Sequence, residues 1–368
     1  MQVSTAVATS KSTPHYLFTD STVVLPVQFE DVPTHMHLET IDLNTADKLW
    51  TSSAMKVMHP PLLGQLNGNI IVAAYYTELE LFNPPQIEAR AKCTVNARSN
   101  NMPLFLQTAG SCIYTMMSVV SNETARSKQP PFGGCWFALL ETIVRTDAVW
   151  SLSSQIVLHT ASAGLDLVAA DTDYGPVCAV VVHEQAVSVH VYFSQEKRSR
   201  QVIVPSLCGE HVVPSLLLHR NSLFLSCFGK VLAYDLGSLA APVREIEIFP
   251  QRSSDLESLS NMDKCCVTMQ LDVDRLLCMS VRQNSFVALH AIDIEGWAHK
   301  SCSFTCRSNE FPFQWFAEQS NGDLRCHFTD SAVFLFNGVD VVRLRHMATP
   351  TDDKPDRTHA VGGLVRLV

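Results

Sequence analysis

His35, His37 and Glu39 stand at alternate positions in Thr34-His35-Met36-His37-Leu38-Glu39. In a strand, alternation puts these three on one face and Met36 and Leu38 on the other. Two imidazoles and a carboxylate are zinc-ligand types, but a tetrahedral site needs one more donor. The sequence supplies none at a matching position, so the run reads as a polar, solvated strand face. Cys302 and Cys306 lack a partner pair at zinc-like spacing, and Cys265-Cys266 are adjacent, which suits one metal poorly. Cys326-His327 adds two donor types near a strand, and all of these read as structural side chains rather than a metal cage. Asp166, Asp171 and Asp173, between Gly164 and Gly175, offer oxygen ligands for calcium. They lack the EF-hand spacing and read as turn formers.

Hydrolytic and nucleotide chemistry find even less support. There is no Gly-x-Ser-x-Gly elbow, and Ser206, Ser215 and Ser226 lie among strands without a recognisable catalytic base nearby in sequence. Gly133-Gly134 is no phosphate loop. No catalytic residue, cofactor or metal site is therefore expected.

The 368 residues are 46% apolar and 17% charged, enough to bury a large core. A net charge of −9 without a basic block disfavours nucleic acid and anionic membrane surfaces. No stretch approaches the roughly 18 apolar residues of a membrane span. Met1 to Thr13 are polar, unlike a secretory signal. The 12 cysteines sit mostly in apolar runs such as Ser226-Cys227-Phe228 and Leu277-Cys278-Met279. They read as reduced, buried thiols, which implies the cytoplasm, or the nucleus.

Period two dominates the elements that would position any site. Val180 to Phe193, Leu223 to Tyr234, Leu276 to Ile294 and Ala332 to Leu344 are short β-rich runs broken by Gly, Asn or Asp. Asn67-Gly68 and Asn337-Gly338 are hairpin signals. Helical periodicity is confined to Asp255–Asp263 and Pro84–Lys92, and Thr115–Gln129 reads as an inter-strand loop. The class is all-β.

The chain also resembles itself. Phe18-Thr19-Asp20-Ser21-Thr22-Val23-Val24-Leu25 returns as Phe328-Thr329-Asp330-Ser331-Ala332-Val333-Phe334-Leu335, six of eight positions identical and 310 residues apart. Leu38-Glu39-Thr40-Ile41, leading to Trp50, returns as Leu140-Glu141-Thr142-Ile143, leading to Trp150. Repeats of about 40–55 residues suit propeller blades. The expectation is a β-propeller of four-stranded antiparallel blades, six or seven in number, over residues 14–346. A flexible segment over 1–13 and a tail over 347–368 flank it.

Gly133-Gly134 before Phe137 to Ile143 and Trp150, Tyr234-Asp235-Leu236, and Ile41-Asp42-Leu43 before Trp50 resemble the blades of Kelch-type propellers. Pro60-Pro61-Leu62 ahead of Asn67-Gly68 is similar to the start of such a blade. The resemblance implies shape only, because one fold hosts many functions. Copper oxidase chemistry, known in a propeller family related to Kelch, requires an assembled set of Tyr and His that the sequence does not reveal.

With no motif for chemistry, the leading expectation is a non-catalytic scaffold that binds another protein through one propeller face. The chain alone would be a monomer. Trp136 and Trp315, each in a stretch rich in Pro and Phe, are the candidate partner-binding anchors. The alternative is an enzyme or small-ligand binder with its site in the central channel, assembled from distant blades.

Overall fold

Alternating apolar and polar residues make strands, and short polar turns fold each strand back on its predecessor. The computed structural model describes residues 17–19, 21–29, 31–32, 34–43, 45, 47–56, 61–66, 70–74, 78–86, 89–94, 102–119, 136–146, 149–160, 167–183, 187–204, 215–227, 230–247, 267–272, 275–282, 286–305, 325–328, 332–336, 341–345 and 365–366. These residues form seven sheets. Sheet I holds β1 (Leu17–Phe18), β2 (Thr22–Gln28), β3 (His35–Asp42) and β4 (Lys48–Thr51), with β5 (Met55–Lys56) also on β3. Sheet II holds β6 (Leu62–Leu66), β7 (Ile70–Ala74), β8 (Glu78–Phe82) and β9 (Ala89–Thr94). Sheet III holds β10 (Met102–Ala109), β11 (Cys112–Val119), β12 (Trp136–Thr146) and β13 (Val149–Thr160). Sheet IV holds β14 (Leu167–Thr172), β15 (Gly175–His183), β16 (Val187–Phe193) and β17 (Arg198–Ile203).

Sheet V holds β18 (Ser215–His219), β19 (Ser222–Cys227), β20 (Lys230–Asp235) and β21 (Arg244–Glu247). Sheet VI holds β22 (Val267–Asp272), β23 (Arg275–Arg282), β24 (Phe286–Asp293) and β25 (His299–Thr305). Sheet VII holds β26 (Arg325–Phe328), β27 (Ala332–Phe336), β28 (Val341–Arg345) and β29 (Val365–Arg366). Each is a meander of strands in chain order, antiparallel wherever the register is described.

The chain divides into a larger compact unit, His15–Phe224 with Ala233–Val243, and a smaller one drawn from Leu225–Leu232 and Arg244–Val368. Sheets I–IV lie in the larger, and VI and VII in the smaller. Within the larger unit the first strands of successive sheets lie side by side in the order β1, β6, β10, β14, β18. Gly64 permits the β6–β10 approach, since a Cβ there would stand 3.3 Å from the Leu106 and Thr108 side chains. Second strands are sandwiched. Val177 through Val182 of β15 are fully buried, on both faces, which explains an apolar run too continuous for a half-exposed strand. Burying each of its valines contributes about 1.5–3 kcal/mol.

The internal likenesses are equivalent positions in different sheets. The Phe18 and Phe328 segments both span the first hairpin of a sheet, β1–β2 in I and β26–β27 in VII, so 310 residues cover six steps between seven sheets. Leu38-Glu39 and Leu140-Glu141 lie on third strands, and Leu79-Glu80 of β8 is a third copy that sequence inspection passed over. In all three sheets the pairing with the fourth strand shifts by one residue just beyond this Glu: at Thr40/Ile41, Leu81/Phe82 and Thr142/Ile143. An Asp at the end of the third strand closes a turn in sheets I, V and VI. Asp42 Oδ1 accepts from Thr45 N, Asp235 Oδ1 from Gly237 N, and Asp293 Oδ2 from Gly296 N. The next residue then secures the first hairpin: Leu43 N donates to Ser21 O and Leu236 N to Asn221 O, both 2.8 Å.

A fourth-strand side chain fastens each of several sheets to the next. Trp50 Nε1 of β4 donates to Gln86 O, just past β8. Arg200 of β17 donates to Leu236 O and Gly237 O, just past β20. Arg244 of β21 donates to Ile294 O and Glu295 O, just past β24. Trp297 closes the last of these, its indole donating to Glu245 O and lying beneath the Arg244 guanidinium.

Two sequence expectations are corrected. The helical pattern of Pro84–Lys92 is not a helix, because Ala89 onward is β9, captured by β8; pairing overrides a weak local propensity. Thr115 to Val119 belongs to β11 rather than a loop, paired on both sides by β10 and β12. The segment Asp255–Asp263 lies outside the described residues.

Candidate functional site

The Glu39 end of the His35-to-Glu39 face is not solvated. On β3, a third strand, Glu39 is 6% exposed and the His37 side chain 13%, while His35 at the other end stays partly open. His37 Nε2 stands 2.8 Å from Glu39 Oε1, and Lys48 of β4 donates its ammonium to the same oxygen. Phe29 lies against the imidazole, ring centroids 4.7 Å apart. Burial alone would raise the Glu39 carboxyl, but the Lys48 and His37 hydrogen bonds and charges outweigh it and hold its pKa below the usual 4.5. This arrangement is an ion pair, not a metal seat. The Lys48 ammonium sits where a cation would bind Glu39, and His35 turns its Nδ1 to the Thr34 hydroxyl. No group of three metal-capable side chains assembles among the described residues.

A second polar set lies at the carboxyl ends of adjacent first strands in the larger unit. Gln65 of β6, Gln107 of β10 and His219 of β18 are half-buried, and Asp171 of β14 is exposed. They alternate with buried Leu66, Leu106 and Leu218, so packing of one strand face presents the other. Thr108 ties β10 to β6 by donating to Gln65 O. Thr172 shapes the turn after Asp171, donating to Gly175 O and accepting from Tyr174 N, and Asp173 is exposed on that turn. Carboxylate, imidazole and amide groups on neighbouring strands can position and protonate a small polar ligand. None of these strands carries Lys or Arg. Arg220 follows His219 on the next turn.

The other sequence candidates scatter. Trp136 begins β12, with its side chain outside the described residues, and Trp315 lies wholly outside them, as do Asp166, Cys265, Cys266 and Cys306. Cys302 is on β25, and Cys326 and His327 are on β26. Ser215 begins β18, Ser226 is buried on β19, and Ser206 lies outside the described residues. Trp50 is buried against Phe82, while Trp150 packs on the core beside Ile143.

Cys112, Cys178 and Cys278 are free thiols in the core. Burial raises the pKa of Cys112 and Cys178, keeping both as thiols. Tyr114, also pushed up by burial, hydrogen-bonds Ser194 at 2.5 Å. No described helix is long and apolar enough to cross a membrane.

No protein-family model matches the chain, and no curated protein sequence matches it. Solved structures do. A 6-phosphogluconolactonase candidate from Bacteroides fragilis is 11% identical, with 94% of each chain covered and a TM-score of 0.52. A prolyl endopeptidase structure is 9% identical over 90% of this chain and 46% of its own, with a TM-score of 0.50. The dihydro-heme d1 dehydrogenase NirN, in complex with DHE, is 11% identical over 80% of this chain and 67% of its own, with a TM-score of 0.42.

The expectation of a non-catalytic scaffold is corrected by this comparison: the lactonase candidate and the prolyl endopeptidase are both named for enzymes, neither for a scaffold. At these identities the likeness is one of fold. The chain is an all-β protein of antiparallel four-stranded sheets whose structural neighbours have β-propeller-like folds.

Proposed function

We propose that this chain is a propeller that binds a small polar ligand, and acts on it, at the carboxyl ends of its first strands. The seven sheets are read as seven blades, and the first strands of the larger unit line the candidate site. One observation carries the reading: Gln107, Asp171 and His219 occupy the same end of three neighbouring first strands, none of them enclosed. An imidazole and a carboxylate on adjacent strands suit general acid–base work, and the amides suit orientation of hydroxyls or carbonyls. The absence of Lys and Arg from these strands favours an uncharged, hydroxyl-bearing ligand over the phosphorylated sugar lactone that the Bacteroides fragilis name implies. The buried thiols support a reducing compartment.

Thermal-shift and ligand-observed NMR screens of hydroxylated metabolites, including neutral and phosphorylated sugar lactones, test the reading. A neutral compound should stabilise the wild type, while Asp171→Asn and His219→Ala lose at least about tenfold in affinity, as expected for a lost charged hydrogen bond. If no compound binds, or both variants bind as the wild type does, the reading fails.

A further inference from the structure

Outer strands present unpaired N–H and C=O groups to solvent, and proteins guard them with charges, proline or shortness. The fourth strands of this chain obey that rule with one exception. Six of the seven carry Lys or Arg, as in Lys48 of β4, Lys92 of β9, Arg200 of β17 and Arg244 of β21. β13 carries no charge and no proline across 12 residues, more than any other described strand. Its register shifts at Ser153, and beyond that bulge Ser154–Thr160 pairs without interruption against β12. Ser154 faces inward, accepting from the Tyr192 hydroxyl at 3.0 Å, and Leu158 is buried with Leu140. Val157, on the opposite face, is 56% exposed, with Gln155 exposed beside it.

This stretch, Ser154-Gln155-Ile156-Val157-Leu158-His159-Thr160, is a palindrome in chemical type about Val157. Aliphatic Ile156 mirrors Leu158, polar Gln155 mirrors His159, and hydroxyl-bearing Ser154 mirrors Thr160. A two-fold interface requires a self-complementary surface, and an antiparallel strand pair centred on one residue meets that requirement when its sequence is palindromic. We propose that β13 pairs with β13 of a second copy about a two-fold axis at Val157, joining two copies of sheet III into one eight-stranded sheet. Val157 then meets its counterpart on the exposed face, and Ile156 meets Leu158 on the other. An uncharged seam also spares two chains of net charge −9 any added repulsion at closest approach.

Sedimentation velocity on the full chain over a rising concentration series tests this. The wild type should pass from monomer to dimer, and the dimer should tighten with salt as the net repulsion is screened. Val157→Lys should weaken it at least about tenfold, because two ammonium groups would face each other across the axis. Ile203→Lys, at an exposed apolar position on the arginine-bearing β17, should leave it unchanged. Hydrogen exchange on the unmutated chain gives a second measure: amides of 154–160 should gain protection with concentration. A chain that stays monomeric throughout overturns the proposal and leaves the edge to a strand from a different protein. A dimer that Val157→Lys does not weaken, or amides of 154–160 indifferent to concentration, overturns it equally.

Discussion

Glu39 shows how a residue's surroundings decide its role. A carboxylate enclosed on a third strand survives there because Lys48 and His37 hold its charge. Its folded pKa lies below the unfolded value, so its contribution to stability is present above the unfolded pKa and is lost as pH falls through the folded one. Lys48→Met should therefore destabilise the chain by about 1–2 kcal/mol at pH 7, the low end for a charged hydrogen bond because Lys48 is half exposed. The difference between variant and wild type in urea melts should shrink on going from pH 7 to pH 4. The thiols make a separate forecast. Cys112 and Cys178 should resist iodoacetamide in the native state and react only after unfolding, read by peptide mass mapping. The side-chain types of both clusters were legible in the sequence; their surroundings were not. The alternation in His35 to Glu39 fixed which residues share a face, but only the neighbouring packing shows that the Glu39 end of it is closed. Gln107 and His219 carry no motif at all, since they lie at the same end of strands more than a hundred residues apart in sequence, with β14 between them.

At the scale of elements, the fasteners between sheets do what local hydrogen bonding cannot. Arg200 gives two hydrogen bonds to carbonyls past β20 and lies over the Phe193 ring. Arg200→Ala should lower stability by about 1.5–3 kcal/mol, the range for hydrogen bonds from a charged group. Ile203→Ala, at a side chain 70% exposed on the same strand, should cost under about 0.5 kcal/mol in the same chemical melts. Strands and hairpins could be read from period two and from signals such as Asn67-Gly68, and the Asp of Tyr234-Asp235 marked its turn. Pro84–Lys92 misled because apolar residues at helical spacing also suit a bulged outer strand, and only β8 across from it decides between them.

For the whole molecule, the most informative sequence signal was the 310-residue likeness between Phe18 and Phe328, which links the first hairpins of sheets I and VII. Its ambiguity between six and seven repeats came from treating a distance as a number of units; six steps separate the first of seven sheets from the last. The absence of sequence motifs argued for a scaffold, and that inference failed for a physical reason. Sites built from several first strands leave no contiguous trace, so missing motifs say little about chemistry in such a fold.

The fasteners also bear on how the chain is made. The donor in one sheet waits for a carbonyl that is synthesised later: Trp50 for Gln86, Arg200 for Gly237, Arg244 for Glu295. As the polypeptide leaves the ribosome, each such sheet becomes complete only after roughly 36 to 51 further residues have emerged. A nascent chain halted between donor and acceptor would expose an unsatisfied indole or guanidinium beside an open apolar face. Stability should therefore rise in steps during translation, one step for each successor delivered, with the most recent sheet always the least secure.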